Sequence, residues 1–502
     1  MKRLLFMLLC GCLAGEANAQ RRPNVIIIYA DDVGYGDLSC YGATQVQTPH
    51  LDALAKSGIR FTNGRTTSAT CTPSRFALLT GRYPWRKKGT GVLPGNAAMI
   101  IPPGSPTLAS LMQQAGYQTA LVGKWHLGLG DGSPINWNAD IKPGPNEVGF
   151  HYAFFFPATA DRVPTVFVEN RKIIGADAND PIEVNYQEKT GNEPTGKENP
   201  ELLKMPASHG HNNTIVNGIG RIGWMKGGTR ARWTDEEIAY AFTDKAIEFM
   251  EHNRKKPFFL CFNLSDIHVP RMPATAFKGK SSMGYRGDAI LQMDWSVGKI
   301  MDKLRQLGLE KNTIVIFSSD NGPVLDDGYV DGAVTQQNGH QPAGPFRGGK
   351  YSAFEGGTRV PWIVSWPGTI KGGGTSDALI SQVDLYASFA KLTGQQIAPG
   401  AAPDSHDMLP AMLGKKAEGR SWVVLQGGSL SLVQGDWKYI SPSRGVKLMK
   451  EVNIESGNDE SPQLYNLRSD QGERQNLAAQ HPDKVKAMAA ELERLKAADQ
   501  TR

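Results

Sequence analysis

Hydrophobic and polar positions along this 502-residue chain follow two periods, and the switches between them outline a fold. Residues 24–29, Asn-Val-Ile-Ile-Ile-Tyr, form an unbroken run rich in β-branched residues, the pattern of a strand buried on both faces. Similar runs recur at residues 117–122, 258–263, 313–317 and 362–365. Between them, residues 50–57, 107–115, 235–253 and 287–307 show the 3.6-residue spacing of amphipathic helices. Strands alternating with helices predict an α/β fold with a mostly parallel sheet flanked by helices. Thr234, ahead of Asp235-Glu236-Glu237, predicts a helix N-cap, and Gly308 predicts a helix end.

From about residue 416 the pattern changes. Residues 421–425, 437–440 and 463–467 read as short strands separated by polar turns, and residues 482–498 as a charged amphipathic helix. The expected organisation is a catalytic domain over residues 20–415 and a smaller C-terminal antiparallel sheet plus helix over residues 416–502. Residues 163–228, rich in Asn, Gly and polar residues, interrupt the alternation and are expected to be a substrate-facing insertion.

Composition narrows the class further. Hydrophobic content of 40% and charged content of 21% are those of an ordinary globular protein. The formal charge of +6 is spread along the chain, without basic arms or zinc-finger spacing, which argues against a nucleic acid partner. At the N-terminus, Lys2 and Arg3 precede the apolar residues 4–9, and Ala17-Asn18-Ala19 supplies a small-residue cleavage site. This predicts a signal peptide over residues 1–19 and an exported, periplasmic or secreted protein. The apolar run is too short for a transmembrane segment. Lipidation at Cys12 is the alternative, because Leu9-Cys10-Gly11-Cys12 loosely resembles a lipobox. After cleavage only Cys40, Cys71 and Cys261 remain, too few for a disulfide framework. Cys261 reads as strand core, and Cys40 is also expected to be buried. The glycosylation sequons at Asn212 and Asn263 carry little weight, the second lying inside an expected buried strand.

Chemistry enters at the strand ends. Open α/β sheets build ligand sites beyond the carboxyl ends of their strands. Asp31-Asp32 follows the first strand directly, and Asp320-Asn321 follows the run at residues 313–317. Acids and an amide in such positions suit a hard, oxygen-seeking divalent cation, although both sequences also serve as turn or capping motifs.

Residues 71–82, Cys-Thr-Pro-Ser-Arg-Phe-Ala-Leu-Leu-Thr-Gly-Arg, could be no more than a small thiol in a turn. They nevertheless resemble, at every fixed position, the signature C-x-P-S-R-x-x-x-L-T-G-R of the type I, formylglycine-dependent sulfatases, and the chain as a whole resembles the bacterial carbohydrate sulfatases. Residues 31–37 match D-D-x-G-x-G-D, residues 123–128 match G-K-W-H-x-G, and residues 320–322 match D-N-G. Thr48-Pro49-His50-Leu51-Asp52, residues 354–361 and the C-terminal segment around Gln463-Leu464-Tyr465 extend the likeness over nearly the whole chain after the signal peptide. One departure is Ile267, where many members have proline before the histidine.

The resemblance implies an alkaline phosphatase-like fold and a sulfuric ester hydrolase. It implies that Cys71 is oxidised to formylglycine, whose hydrate is the nucleophile, and that Arg75 and Lys124 hold the hydrate and the sulfate. His126 would be the base that collapses the sulfated intermediate, His268 the acid for the leaving alcohol, and Lys350 a neutralising charge. Asp31, Asp32, Asp320 and Asn321, with an oxygen of the modified Cys71, would bind Ca²⁺, or alternatively Mg²⁺; Asp37 is left out of this set. A formylglycine-generating or sulfatase-maturating enzyme is the implied partner, reading Pro73 and Ser74 in the unfolded motif. A sulfated saccharide is the implied substrate. Asp161 and Arg162 are the candidates for sugar contacts and suggest a galactose or N-acetylgalactosamine sulfate, with His209, His211, Trp224 and Arg271 as further pocket candidates. Three rivals remain at this point: a formylglycine-dependent phosphonate or phosphodiester hydrolase, a non-catalytic sulfated-glycan binder with unmodified Cys71, and a plain cysteine hydrolase.

Overall fold

Ten strands form the central sheet: β1 (Asn24–Ala30), β2 (Gly58–Phe61), β3 (Gln118–Lys124), β4 (Tyr152–Phe156), β5 (Val168–Glu169), β6 (Lys172–Ile173), β7 (Phe258–Asn263), β8 (Thr313–Ser319), β9 (Trp362–Ser365) and β10 (Gly374–Ser376). The structure, a computed structural model, describes residues 22–502. The expected signal peptide, with Cys10 and Cys12, lies outside the described residues. Across the sheet the strands run β10-β2-β9-β8-β1-β7-β3-β4-β5-β6. The five at its centre, β8 through β4, are mutually parallel, while β9, β5 and β6 pair antiparallel with their neighbours.

The two-residue period of β1 explains why it needs no polar face. Val25, Ile27 and Tyr29 enter one hydrophobic core, and Ile26, Ile28 and Ala30 enter the other. On the first side lie α2 (Cys71–Thr80), α3 (Leu108–Gln114) and α6 (Leu385–Thr393). On the second lie α1 (Pro49–Lys56), α4 (Ile238–His252) and α5 (Gly284–Gln306). Replacing Ile27, packed between Cys261 and Ile316, with alanine would cost about 2–5 kcal/mol.

The C-terminal part is a four-stranded antiparallel sheet, β11 (Trp422–Gln426), β12 (Leu430–Gln434), β13 (Trp437–Ile440) and β14 (Gln463–Asn466), covered by α7 (Pro482–Ala497). Met488, Leu492 and Leu495 of α7 share a core with Leu432, Tyr439 and Leu464. Strand β12 went unread in the sequence because Gly427-Gly428-Ser429 on one side and Gly435 on the other make it look like loop.

Several other expectations are corrected. Thr234 does stand at a helix start, but its side chain makes no capping bond; Asp235–Glu237 forms a 3₁₀ turn ahead of α4. Cys40 is half-buried rather than buried, whereas Cys261 is core as expected. Asn263 is buried and donates from Nδ2 to the Lys124 carbonyl at 2.8 Å, which makes it a sheet-edge tie. No helix among the described residues is long and apolar enough to cross a membrane.

Candidate active site

The parallel strands bring their carboxyl ends to one edge, and the chemistry-bearing residues follow there. Asp31 and Asp32 leave β1, Lys124 is the last residue of β3, His268 lies five residues after β7, and Asp320 and Asn321 leave β8. Gly123 permits the crowding at the end of β3: its φ is 115°, and a Cβ there would lie 1.9 Å from the Asn263 carbonyl oxygen. Cys71 is the first residue of α2, after the extended Thr70, so the N-terminal backbone of that helix faces the same edge. Asp32, His126 and Tyr351 hold left-handed backbone with φ of 59°, 56° and 73°, local strain of the kind that surrounding structure maintains at functional sites.

The Cys71 sulfur lies 3.3 Å from His126 Nδ1, and His126 Nε2 lies 2.9 Å from the Leu93 carbonyl. The Leu93 contact assigns the ring proton to Nε2 and leaves the Nδ1 lone pair facing Cys71. Burial, then Lys124 and Arg162, push His126 well below the ordinary histidine value. Burial also pushes the Cys71 thiol up, despite Lys124 and Lys350. An unmodified Cys71 is therefore a neutral thiol here, a poor nucleophile.

Three buried cations face three buried carboxylates. Lys124 Nζ is 2.7 Å from Asp31, Arg75 donates to Asp320 at 2.7 and 3.0 Å, and Lys350 Nζ is 2.9 Å from Asp32. Burial works against the charge of Lys350, but Asp32 and Asp327 keep it firmly protonated. Burial and the neighbouring Asp320 carboxylate push Asp31 up to about 8. Asp31 Oδ1 and Asn321 Oδ1 are buried without a hydrogen-bond partner. Ligand atoms of Asp31, Asp32 and His268 fall within 4.8 Å of one another. Unpartnered oxygens beside a carboxylate that its surroundings discourage from ionising are what a hard divalent cation would satisfy, so the donor set fits such an ion.

His268 Nδ1 is 2.8 Å from the Val269 carbonyl, and its Nε2 is 4.0 Å from Asp32. Burial, then Lys350 and Lys124, hold His268 well below the usual range. Asp161 and Arg162 pair with each other at 3.0 Å, and His211 Nε2 reaches Asp161 at 3.0 Å. Burial opposes the Asp161 charge, but Arg162 and His211 hold its carboxyl far below the carboxylate range.

Not every candidate joins this group. Arg271 is fully buried and bonded on all sides, so it lines nothing. Trp224 pairs with Asn185 in a two-stranded ribbon, and half-buried His209 sits beside Asp326 at 3.8 Å. Asp37 is occupied elsewhere: both oxygens accept from Arg286 at 2.7 and 2.6 Å, and His340 Nε2 lies at 2.7 Å. Its exclusion from the ligand set agrees with that geometry. Sequence reading missed Asp327, which holds Lys350 Nζ at 2.7 Å and Tyr351 Oη at 3.1 Å. The only signal was its proximity to Asp320-Asn321-Gly322.

A fully buried nest of lysines, an arginine and histidines around Cys71, with room in its chemistry for a cation, suits an enzyme that acts on an anionic ester. The sequence profile described as Sulfatase matches residues 23–395. The chain belongs to the sulfatase family and is a sulfuric ester hydrolase. It is 52% identical over 495 residues to the N-acetylgalactosamine-6-O-sulfatase of Bacteroides thetaiotaomicron, covering 97% of each chain. It is 30% identical over 452 residues to human steryl-sulfatase, covering 82% of this chain and 73% of that protein. A solved structure described in connection with the metabolism of multiple glycosaminoglycans by Bacteroides thetaiotaomicron superposes with a TM-score of 0.94 at 52% identity, covering 95% of this chain and 100% of that one. A Pseudoalteromonas sulfatase structure shares the fold, with a TM-score of 0.68 at 24% identity over 96% of this chain and 92% of that one.

Proposed function

We propose that this enzyme removes sulfate from a sulfated carbohydrate, through a formylglycine hydrate made from Cys71. The observation that carries the reading is the Cys71–His126 contact at 3.3 Å, with the histidine lone pair aimed at Cys71 inside a ring of buried cations. The Cys71 sulfur stands where one hydroxyl of the hydrate would begin, on the same Cβ. The other hydroxyl attacks sulfur and gives up its proton to solvent, the bond from sulfur to the sugar oxygen breaks, and the alcohol departs with the proton that His268 carries. His126 Nδ1 then takes the proton of the hydroxyl that faces it, the carbonyl reforms, and sulfate leaves.

Lys124, Arg75 and Lys350 offset the negative charge of the sulfate as the ester bond breaks. His268, whose Nδ1 proton is committed to the Val269 carbonyl, takes up a second proton at Nε2 from solvent as substrate binds and passes it to the leaving oxygen. It is neutral before substrate binds, and the arriving anion counters Lys350 and Lys124 and raises its proton affinity. Asp31, Asp32, Asp320 and Asn321 would hold Ca²⁺, or Mg²⁺, which supplies Lewis-acid neutralisation of a sulfate oxygen. Asp161 and Arg162 contact sugar hydroxyls. The 52% identity to an N-acetylgalactosamine-6-O-sulfatase supports a 6-sulfated N-acetylgalactosamine as the preferred substrate.

The chain is read as an export signal over residues 1–19, a catalytic unit over 20–415 and a C-terminal unit over 416–502. It would be matured by a formylglycine-generating or sulfatase-maturating enzyme and delivered to the periplasm or beyond. The raised Cys71 thiol disfavours the plain cysteine hydrolase. A panel of position-defined sulfated saccharides and a phosphodiester, assayed with protein of measured formylglycine content, tests the reading. Sulfate release from the 6-sulfated sugar is expected; turnover of the phosphodiester alone would sink it.

A further inference from the structure

Arg271 is a large cation with no exposure to solvent, and it spends its donors on two active-site loops. Nε donates to the Ile267 carbonyl at 2.8 Å. Nη1 donates to the Leu325 carbonyl at 2.9 Å and to Asp331 Oδ2 at 2.6 Å, and Nη2 to the Val324 carbonyl at 2.9 Å. Asp331, itself buried, accepts the Ala333 N–H on its other oxygen at 2.9 Å.

The partners matter because of what stands next to them. Ile267 immediately precedes His268, the proton donor of the mechanism above. Leu325 lies two residues before Asp327, whose carboxylate holds Lys350 Nζ at 2.7 Å. The loop after β7 and the loop after β8 are therefore tied by one guanidinium whose planar fork fixes direction as well as distance. A lysine could reach one of these acceptors but could not span both loops in the same geometry.

We propose that Arg271 is a positioning residue for the leaving-group side of the reaction, setting the spacing between His268 and the Lys350–Asp327 pair. The nucleophilic side is held independently, by α2 and the Leu93–His126 contact. Loss of the clamp therefore impairs departure of the sugar more than attack on sulfur. This rests on the sulfatase reading above.

The test uses the full-length matured enzyme and the variants R271Q, R271K and D331N, each with its formylglycine fraction measured by mass and its Tm recorded. Two substrates separate the two sides: N-acetylgalactosamine 6-sulfate, whose alkoxide needs a proton to leave, and 4-nitrophenyl sulfate, whose phenolate does not. R271Q is expected to lower kcat on the sugar sulfate by about 100-fold and on the aryl sulfate by under about 10-fold, the scale of a misplaced catalytic group. KM should be little changed, and R271K should fall between R271Q and the wild type. If R271Q does not fold, D331N, which removes the clamp's negative charge at constant shape, carries the same comparison. Equal losses on both substrates, or no loss on either, would overturn the proposal. A failure of the underlying reading shows differently, since the wild type would then release no sulfate from either compound.

Discussion

In the proposed mechanism His126 is the residue on which the chemistry turns, because its two nitrogens have different tasks. Nε2 is fixed by the Leu93 carbonyl and Nδ1 faces Cys71, so the imidazole can accept a proton only from that side. H126A should therefore lower kcat by about 10²–10⁴-fold without altering the formylglycine fraction, as read by steady-state assay beside peptide mass. Because burial and Lys124 push its proton affinity down, the base stays neutral into acid solution. The acidic limb of the kcat/KM profile assigned to His126 should then fall clearly below pH 6.5; a limb at or above that value would contradict the assignment. These residues were legible in the sequence because they sit in contiguous motifs. Leu93 and Asp327 were not, and Arg271 was read as a pocket residue and not as a tie between loops, since each acts through a backbone carbonyl or through a partner far away in the chain.

At the scale of elements, two buried ionic ties hold the site's loops in place. Asp37, in the turn after Asp31 and Asp32, is gripped by Arg286 of α5 and by His340. Burial works against its ionisation, but Arg286 and the His340 contact override it and set the carboxyl at about 2. An acid whose folded value lies below its unfolded value of about 4 stabilises fully above pH 4, and that contribution is lost as pH falls towards 2. It amounts to about 2 kcal/mol. D37N should lose that amount at neutral pH and show a flatter stability profile between pH 4 and 2, measured by urea unfolding.

The second tie joins the C-terminal sheet to the catalytic core. Glu355 accepts two bonds from Arg65 at 2.7 Å, and Lys438 of β13 reaches it at 3.1 Å with no solvent access. K438M leaves a buried acid short of a partner and should destabilise the protein by about 3–5 kcal/mol, seen as a shorter half-life of activity on heating. Four of the five central parallel strands were readable because a buried parallel strand is a continuous apolar run; β4, Tyr152–Phe156, and β2 went unread although the first is such a run. The short strand β12 and the 3₁₀ turn before α4 were not, because tertiary packing decides such short elements and local propensity does not.

Across the whole molecule, two cores on opposite faces of one sheet deliver acids, cations and Cys71 to a single edge. The unpartnered oxygens of Asp31 and Asn321 are what the proposed cation would satisfy at that edge. Dialysis against a chelator should abolish sulfate release and added Ca²⁺ should restore it, while D31N should resist restoration. The central claim is that the nucleophile is a modified Cys71, so activity must follow the modification and not the polypeptide. The decisive measurement is the rate of sulfate release from N-acetylgalactosamine 6-sulfate plotted against the formylglycine fraction of several preparations. A line through the origin, with C71A silent, is expected. Sulfate release by protein whose Cys71 is wholly unconverted would contradict it.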